Sequence, residues 1–189
     1  MPDPPDTSDE DLARRAALGD RAALEHLLAQ HFDQIHAVCR RVLGHPEDAL
    51  DATQEALIAI SRGIHRFDGR SRFTTWMYRV ATNAALDEAR RRKRRPLATE
   101  HLPEPANRPD ETAAVDARLD VDAALATLPA DYRAAVALRD LAGLDYAEIA
   151  SVLEIPIGTV RSRIARGRAL LADQIGNRDD PLQRPTPRP

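Results

Sequence analysis

Residues 126–175 read ATLPADYRAAVALRDLAGLDYAEIASVLEIPIGTVRSRIARGRALLADQI. The stretch is punctuated for helices. Pro129 suits a helix start, and Gly143 suits the position just past a helix end. Asp145-Tyr146-Ala147-Glu148 forms a capping box: Asp145 is the N-cap, and Glu148 reaches back to its backbone N–H. Leu144 and Ile149 can form the accompanying hydrophobic staple. The helix Tyr146–Leu153 is short, breaks at Glu154-Ile155, and gives way to a second helix opened by Pro156. Two helices joined by a turn of about three or four residues form the helix-turn-helix pattern.

The second of these helices has two unlike faces. Val160, Ile164, Gly167 and Leu171 share one side and must pack on the rest of the unit. At about 100° per residue, Ser162 and Arg166 point away from that side and Arg161 lies at its flank. An arginine in a DNA groove pairs with guanine edges or phosphates, and a short serine reaches either. Arg163 and Arg168 flank the core face and are expected to touch a nucleic-acid backbone or acidic neighbours. The candidate DNA-reading set is Thr159, Arg161, Ser162, Arg163 and Arg166. The competing reading is an amphipathic helix whose basic side is merely solvated.

Outward from this stretch, charge divides the chain. The net formal charge is -3 over 189 residues. Yet Arg62–Arg95 holds eleven basic residues against Asp68, Asp87 and Glu88, a local charge of +8. The segment from Pro96 to Ala124 carries two arginines against seven acids, about -5, with four prolines. It has no apolar periodicity before Val115 and reads as a flexible, self-solvating linker. The expected organisation is all-α: one helical domain over 8–95, an acidic linker over 96–119, a second helical domain over 120–176, and a disordered Pro-rich tail over 177–189.

In the first domain, Ser8 and the acids after it suit the start of a helix that ends near Gly19. A second helix runs from about Asp20 to Leu43, with Leu24, Leu27, Leu28, Ile35, Val38 and Val42 on one stripe. The third, from about Pro46 to Ile64, turns Leu50, Thr53, Leu57, Ile60 and Ile64 to a core. Its other face presents Asp51, Gln54, Glu55 and Ile58, which fits an ordinary solvated surface and equally a docking surface for a basic partner. After the turn Phe67–Ser71, centred on Gly69, a helix places Phe73, Trp76, Met77, Val80 and Ala84 inward. Thr75, Arg79, Asn83, Leu86 and Arg90 lie on its other side. It ends in six consecutive cations, Arg90–Arg95, before Pro96. A helix C-terminus favours cations by only about 0.3–1 kcal/mol each. A polyanion partner accounts for the cluster better, because each neutralised phosphate releases counterions.

Other classes are excluded by composition. Hydrophobic residues make up 43%, enough for a core, while aromatics are 4%. Ala and Leu dominate, and strand-forming runs are absent. One cysteine, Cys39, permits no internal disulfide and reads as a buried thiol. No apolar run is long enough to span a membrane, and the acidic, Pro-rich start is unlike a signal peptide, so a cytoplasmic protein is expected. The six histidines show no ligand spacing, and no HExxH, P-loop or GxSxG motif occurs. Neither an enzyme nor a metal or other cofactor is expected.

These motifs together resemble one family. PEDALDATQEAL (46–57), FDGRSRFTTWMYRVATNAALDEARRRKRR (67–95) and LPADYRAAVALRDLAGLDYAEIASVLEIPIGTVRSRIARGRALL (128–171) are similar, in order and spacing, to segments of the extracytoplasmic-function (group IV) RNA polymerase sigma factors of the sigma-70 family. The likeness covers about residues 10–175. It implies region 2 in the first domain and region 4 in the second. Asp51, Gln54, Glu55 and Ile58 would dock on the β′ clamp helices of core RNA polymerase, and region 4 on the β flap. The loop Phe67–Phe73, with Arg70 and Arg72, and Asn83 would form the pocket for a flipped base of the −10 element. Thr75, Trp76, Arg79, Arg90 and Arg91 would complete the −10 surface, the cations holding phosphates of the opening strands. Thr159, Arg161, Ser162, Arg163 and Arg166 would read the −35 element. The family further implies an anti-sigma partner, often membrane-bound, and a monomer with no insertion of its own into the membrane. Arg70 and Arg72 stand where other members often carry an acidic or neutral residue, and Ala56 and Leu57 follow the Gln54-Glu55 pair where an aromatic is common. The alternative is a dimeric helix-turn-helix regulator, which leaves the 46–95 segment without a purpose.

Overall fold

The computed structural model describes residues 8–94 and 124–178, with side chains through 174. The expected linker over 96–119 lies outside the described residues, as does the expected tail over 177–189 except for its first two residues, which continue the last helix. All regular structure among the described residues is helical. Helix α1 (Asp9–Ala17) starts at Ser8, whose hydroxyl accepts from the Asp11 N–H at 3.2 Å. Helix α2 (Arg21–Leu43) is capped by Asp20, which accepts from the Ala23 N–H at 3.1 Å, and ends at Gly44 with φ +72°. Helix α3 (Pro46–Gly63) begins on a proline, whose missing N–H costs nothing at that position. A 3-10 turn (Ile64–Arg66) leads to helix α4 (Phe73–Arg94). A helical segment through 126 precedes α5 (Ala130–Asp140), α6 (Tyr146–Leu153) and α7 (Ile157–Arg178).

Helix α2 is the axis of the N-terminal helices: α1, α3 and α4 all pack on it. Leu27, Ile35, Val38 and Val42 are buried along it, against Ile60 of α3 and Phe73 and Met77 of α4. Leu24 and Leu28 are only half-buried. His31, also buried, places Nε2 2.9 Å from Asp9 Oδ2 and so ties α1 to α2.

Two stripes differ from the expectation. In α3 the buried side is Ala49, Ala52, Thr53, Ala56 and Ile60, while Leu50 is 57% exposed. The alanines let α3 lie close on α2, and this rotation carries Leu50 to the surface beside Asp51. In α4 the buried residues are Phe73, Thr75, Met77, Tyr78, Ala81, Thr82, Ala85 and Glu88; Trp76, Val80 and Ala84 are half-buried. Helix α4 is covered on two sides, by α2 and α3 and again by α5 and α6.

That second cover is the main architectural finding. The N-terminal and C-terminal helices pack on each other and share one buried core. Helix α5 lies on α2, and α6 on α4. A Cβ at Gly44 would stand 3.1 Å from Ala126 Cβ, so the end of α2 and the approach to α5 nearly touch. Arg133 on α5 is buried. Its Nη1 donates to the Ala126 carbonyl at 2.9 Å, and burial, then the charge of Arg92, lowers its pKa.

Candidate nucleic-acid interfaces and docking face

The helix-turn-helix forms as its local chemistry demands. Asp145 accepts from the Ala147 and Glu148 N–H groups at 2.8 Å each, and Glu148 accepts from the Asp145 N–H at 2.9 Å. Leu144 and Ile149 are buried. Glu154 ends α6 at φ +54°, the single non-glycine with positive φ among the described residues. Val160, Ile164 and Gly167 of α7 are buried and Leu171 is half-buried. Gly167 allows the closest approach: a Cβ there would meet Val136 Cγ2 at 2.9 Å and Leu128 Cδ2 at 3.5 Å.

The α7 candidates then fall into two groups. Arg161, Ser162 and Arg166 are exposed and point away from α5. Arg163 is half-buried and pairs with Asp131 at 3.2 Å, so it braces α7 on α5 and does not face outward. Arg168 is likewise bound by Asp140, whose hydrogen bond and charge raise its pKa. The Ser162 hydroxyl donates to the Thr159 carbonyl at 2.9 Å, and Thr159 is half-buried. Asp131 and Asp140 were not singled out by sequence. Their signal was only that acidic neighbours were required somewhere for the flanking arginines.

The α4 side is built on aromatics. Phe67, Phe73 and Trp76 form a triangle with centroids 5.7–6.0 Å apart, and Trp76 Cζ2 lies 3.4 Å from where a Cβ at Gly63 would stand. Thr75, expected on the DNA side, is buried, and so is Phe73, which periodicity turned inward although the resemblance put it in the pocket loop; Phe73 packs on the other two rings and against His31. Phe67 and Trp76 are half-buried, and Arg70, Arg72 and Asn83 are exposed. Asp68 accepts from the Arg70 N–H at 3.1 Å and pairs with its guanidinium at 3.1 Å, which shapes the turn at Gly69.

The arginines of α4 are engaged. Arg79 Nη2 donates to Ser151 Oγ on α6 at 2.9 Å. Arg90 pairs with Asp87 and Arg91 with the buried Glu88, both at 2.6 Å, and Arg92 with Asp48 at 2.8 Å. Ser151, too, was not singled out by the sequence, since only tertiary packing brings it to Arg79. On α3, Asp51, Gln54 and Glu55 are exposed and Ile58 is half-buried, with Leu50 beside them. This face is acidic at its centre and apolar at its edges. Among the described residues no His, Cys, Asp or Glu cluster is placed to hold a metal ion, and no helix is long and apolar enough to cross a membrane.

Two family models match the chain: Sigma-70 region 2 over residues 27–95, and Sigma-70, region 4 over residues 118–171. The ECF RNA polymerase sigma factor SigE of Mycolicibacterium smegmatis is 42% identical over 170 residues, covering 84% of this chain and 65% of that protein, so the chain spans just under two thirds of SigE. SigM of Mycobacterium tuberculosis is 38% identical over 169 residues, covering 89% of this chain and 85% of the relative. The Escherichia coli sigma-E factor is 33% identical over 190 residues, covering 94% and 97%. Among solved structures, CnrH in complex with the cytosolic domain of CnrY superposes with a TM-score of 0.69 at 25% identity, covering 91% of this chain and 99% of that one. The RpoE sigma factor in complex with the anti-sigma factor NepR from Bartonella quintana gives 0.65 at 22% identity, covering 80% and 96%, an agreement of fold.

Proposed function

The chain belongs to the extracytoplasmic-function sigma factors, and from that premise we propose that it serves as an alternative sigma subunit. It binds core RNA polymerase and directs initiation at promoters selected by their −35 and −10 elements. One observation carries this reading: both sigma regions occur in one chain, in order. A regulator using only the helix-turn-helix would leave the first match unexplained. Residues 8–95 act as region 2 and 120–176 as region 4, joined by the acidic 96–119 segment.

The docking role falls to Asp51, Gln54, Glu55 and Ile58, because two carboxylates and an amide stand exposed on one helix face. Their partner surface is basic, as charge complementarity requires, and the family supplies the β′ clamp helices. Region 4 contacts the β flap. Arg161, Ser162 and Arg166 read base edges of the −35 element, while Arg163 and Thr159 secure the helix and border the backbone. Phe67, Trp76, Asn83, Arg70 and Arg72 receive the extruded −10 base, with Phe73 and Thr75 supporting them from below. Arg79, Arg90 and Arg91 hold phosphates of the opened strands, Arg79 giving up its hydrogen bond to Ser151 and Arg90 its exposed ion pair with Asp87. The protein works as a monomer in the cytoplasm and performs no catalysis itself. An anti-sigma protein, membrane-anchored in many such systems, restrains it.

The test is gel filtration with sigma-free bacterial core polymerase. The wild-type chain should co-elute stoichiometrically and be competed by another sigma factor. Asp51→Arg combined with Glu55→Arg should abolish co-elution while leaving the thermal melt unchanged. Undiminished assembly of that double variant would reject the docking assignment. Separate elution of the wild-type chain would reject the sigma function.

A further inference from the structure

Tyr146 lies beneath two arginines. It is the first residue of α6, so the capping box fixes its backbone. The Arg139 guanidinium, from the last turn of α5, lies 5.1 Å from the ring centroid, and the Arg161 guanidinium lies 5.8 Å from the same centroid. Both fall within the roughly 6 Å over which a ring quadrupole attracts a cation. The two cations are held differently. Arg139 Nη1 donates to the Leu144 carbonyl at 2.8 Å and is anchored there. Arg161 is exposed, and among the described residues no carboxylate reaches it. Arg163 and Arg168 on the same helix are each tied to an acid of α5. The Tyr146 ring is therefore what orients Arg161.

Ile149 and Val152 fill the core side of α6, whereas Tyr146 is half-buried. Its ring packs on the edge of the core and keeps part of its surface open to a neighbour. A long side chain that is already oriented loses less rotamer freedom when it meets a base edge. We propose that Tyr146 is a positioning residue of the −35 interface, whose ring pre-orients Arg161, so that part of the base selectivity of Arg161 resides in this contact. The proposal rests on the reading of α7 as the −35 helix. Tyr146 touches no base in it.

The experiment uses the full chain assembled with core polymerase and a duplex library randomised over the −35 element. Selected bases are compared for wild type, Tyr146→Leu, Tyr146→Phe, Arg161→Ala and the Tyr146→Leu/Arg161→Ala double variant. Tyr146→Met supplies the same loss of the ring if leucine disturbs α6. The expected result is a loss of about 2–5-fold in discrimination at the position read by Arg161 when the ring is removed. Tyr146→Phe should keep wild-type selectivity, and removing the ring in the Arg161→Ala background should change nothing further. An equal loss on all sequences, or an additive loss in the double variant, would overturn the proposal. So would a Tyr146→Phe loss as large as that of Tyr146→Leu, which would put the hydroxyl in contact with DNA. If Arg161→Ala itself leaves the selected bases unchanged, the −35 reading of α7 fails, and the role of Tyr146 falls with it.

Discussion

Helices α4 and α7 are both 22 residues long and both carry a row of arginines, yet they hold them differently. On α7 the row divides: Arg163 and Arg168 are bound to Asp131 and Asp140 on α5, while Arg161 and Arg166 are exposed with no acidic partner among the described residues. The paired arginines fix the helix, and the outward ones are left for a ligand. On α4, Arg79, Arg90, Arg91 and Arg92 are all occupied, and the engagement of Arg79 comes from the other half of the molecule. The outward face of α7 is open in this arrangement, and the cationic face of α4 is held. The exposed Arg90–Asp87 pair contributes only about 0–1 kcal/mol, whereas Arg91 and Arg92 pair with carboxylates that are largely buried. A strand of phosphates would displace the exposed pair most readily, and would reach Arg79 once α6 moves off it.

The largest effect expected comes from the seat of α7. Gly167→Leu forces side-chain atoms into Val136 and Leu128 and should cost about 3 kcal/mol or more. Gly167→Ala should still lower the melting temperature, even though alanine gains about 1 kcal/mol of helix propensity, because Val136 is stiff and buried. A higher melting temperature for Gly167→Ala would show that α7 has room against α5.

Beneath α4, burial raises the Cys39 thiol from 9.0 to about 11, only partly offset by a hydrogen bond with Thr53. The folded state then keeps its proton to higher pH than the unfolded state. The resulting stability is fully present below pH 9 and is lost as pH rises through about 11. Denaturant titrations should show a decline of about 2–3 kcal/mol over that window. The Cys39→Ala variant should lose that slope, and an identical slope in the variant would assign it to other groups.

The open face itself is probed by single substitutions. Arg161→Ala and Arg166→Ala should each cost about 1–3 kcal/mol of −35 selectivity, measured on matched against mismatched promoters. Arg163→Ala should instead lower stability and leave base preference unchanged. A shift in base preference for Arg163→Ala would erase the division drawn on α7. The smallest effect belongs to Ser151→Ala, which frees Arg79 from α6. It should change the melting temperature by no more than about 1 kcal/mol would produce. A large loss would mean that this one hydrogen bond, more than the shared core, keeps the two halves together.

Much of the fold was legible because its signals are local. Ser8, Asp20, Gly44, Pro46, Asp145 and Glu148 all cap or start the helices that their types foretell, because unsatisfied terminal N–H and C=O groups demand such residues within a few positions. The apolar side of α7 followed from periodicity for the same reason. On α3, Thr53, Ile60 and Ile64 are buried as expected, but Leu50 and Leu57 were taken as core where the small Ala49, Ala52 and Ala56 let the helices come closest.

The sequence by itself determined the helices, their order, the exposed acids of α3 and the outward arginines of α7. Only the tertiary structure decided that the two halves share a core, that Thr75 goes inside, and that Ser151 takes Arg79 while Tyr146 takes Arg161. These residues are separated by up to 72 positions along the chain. Caps and periodicity act over one or two turns, whereas such pairings arise only when helices pack and leave specific side chains face to face.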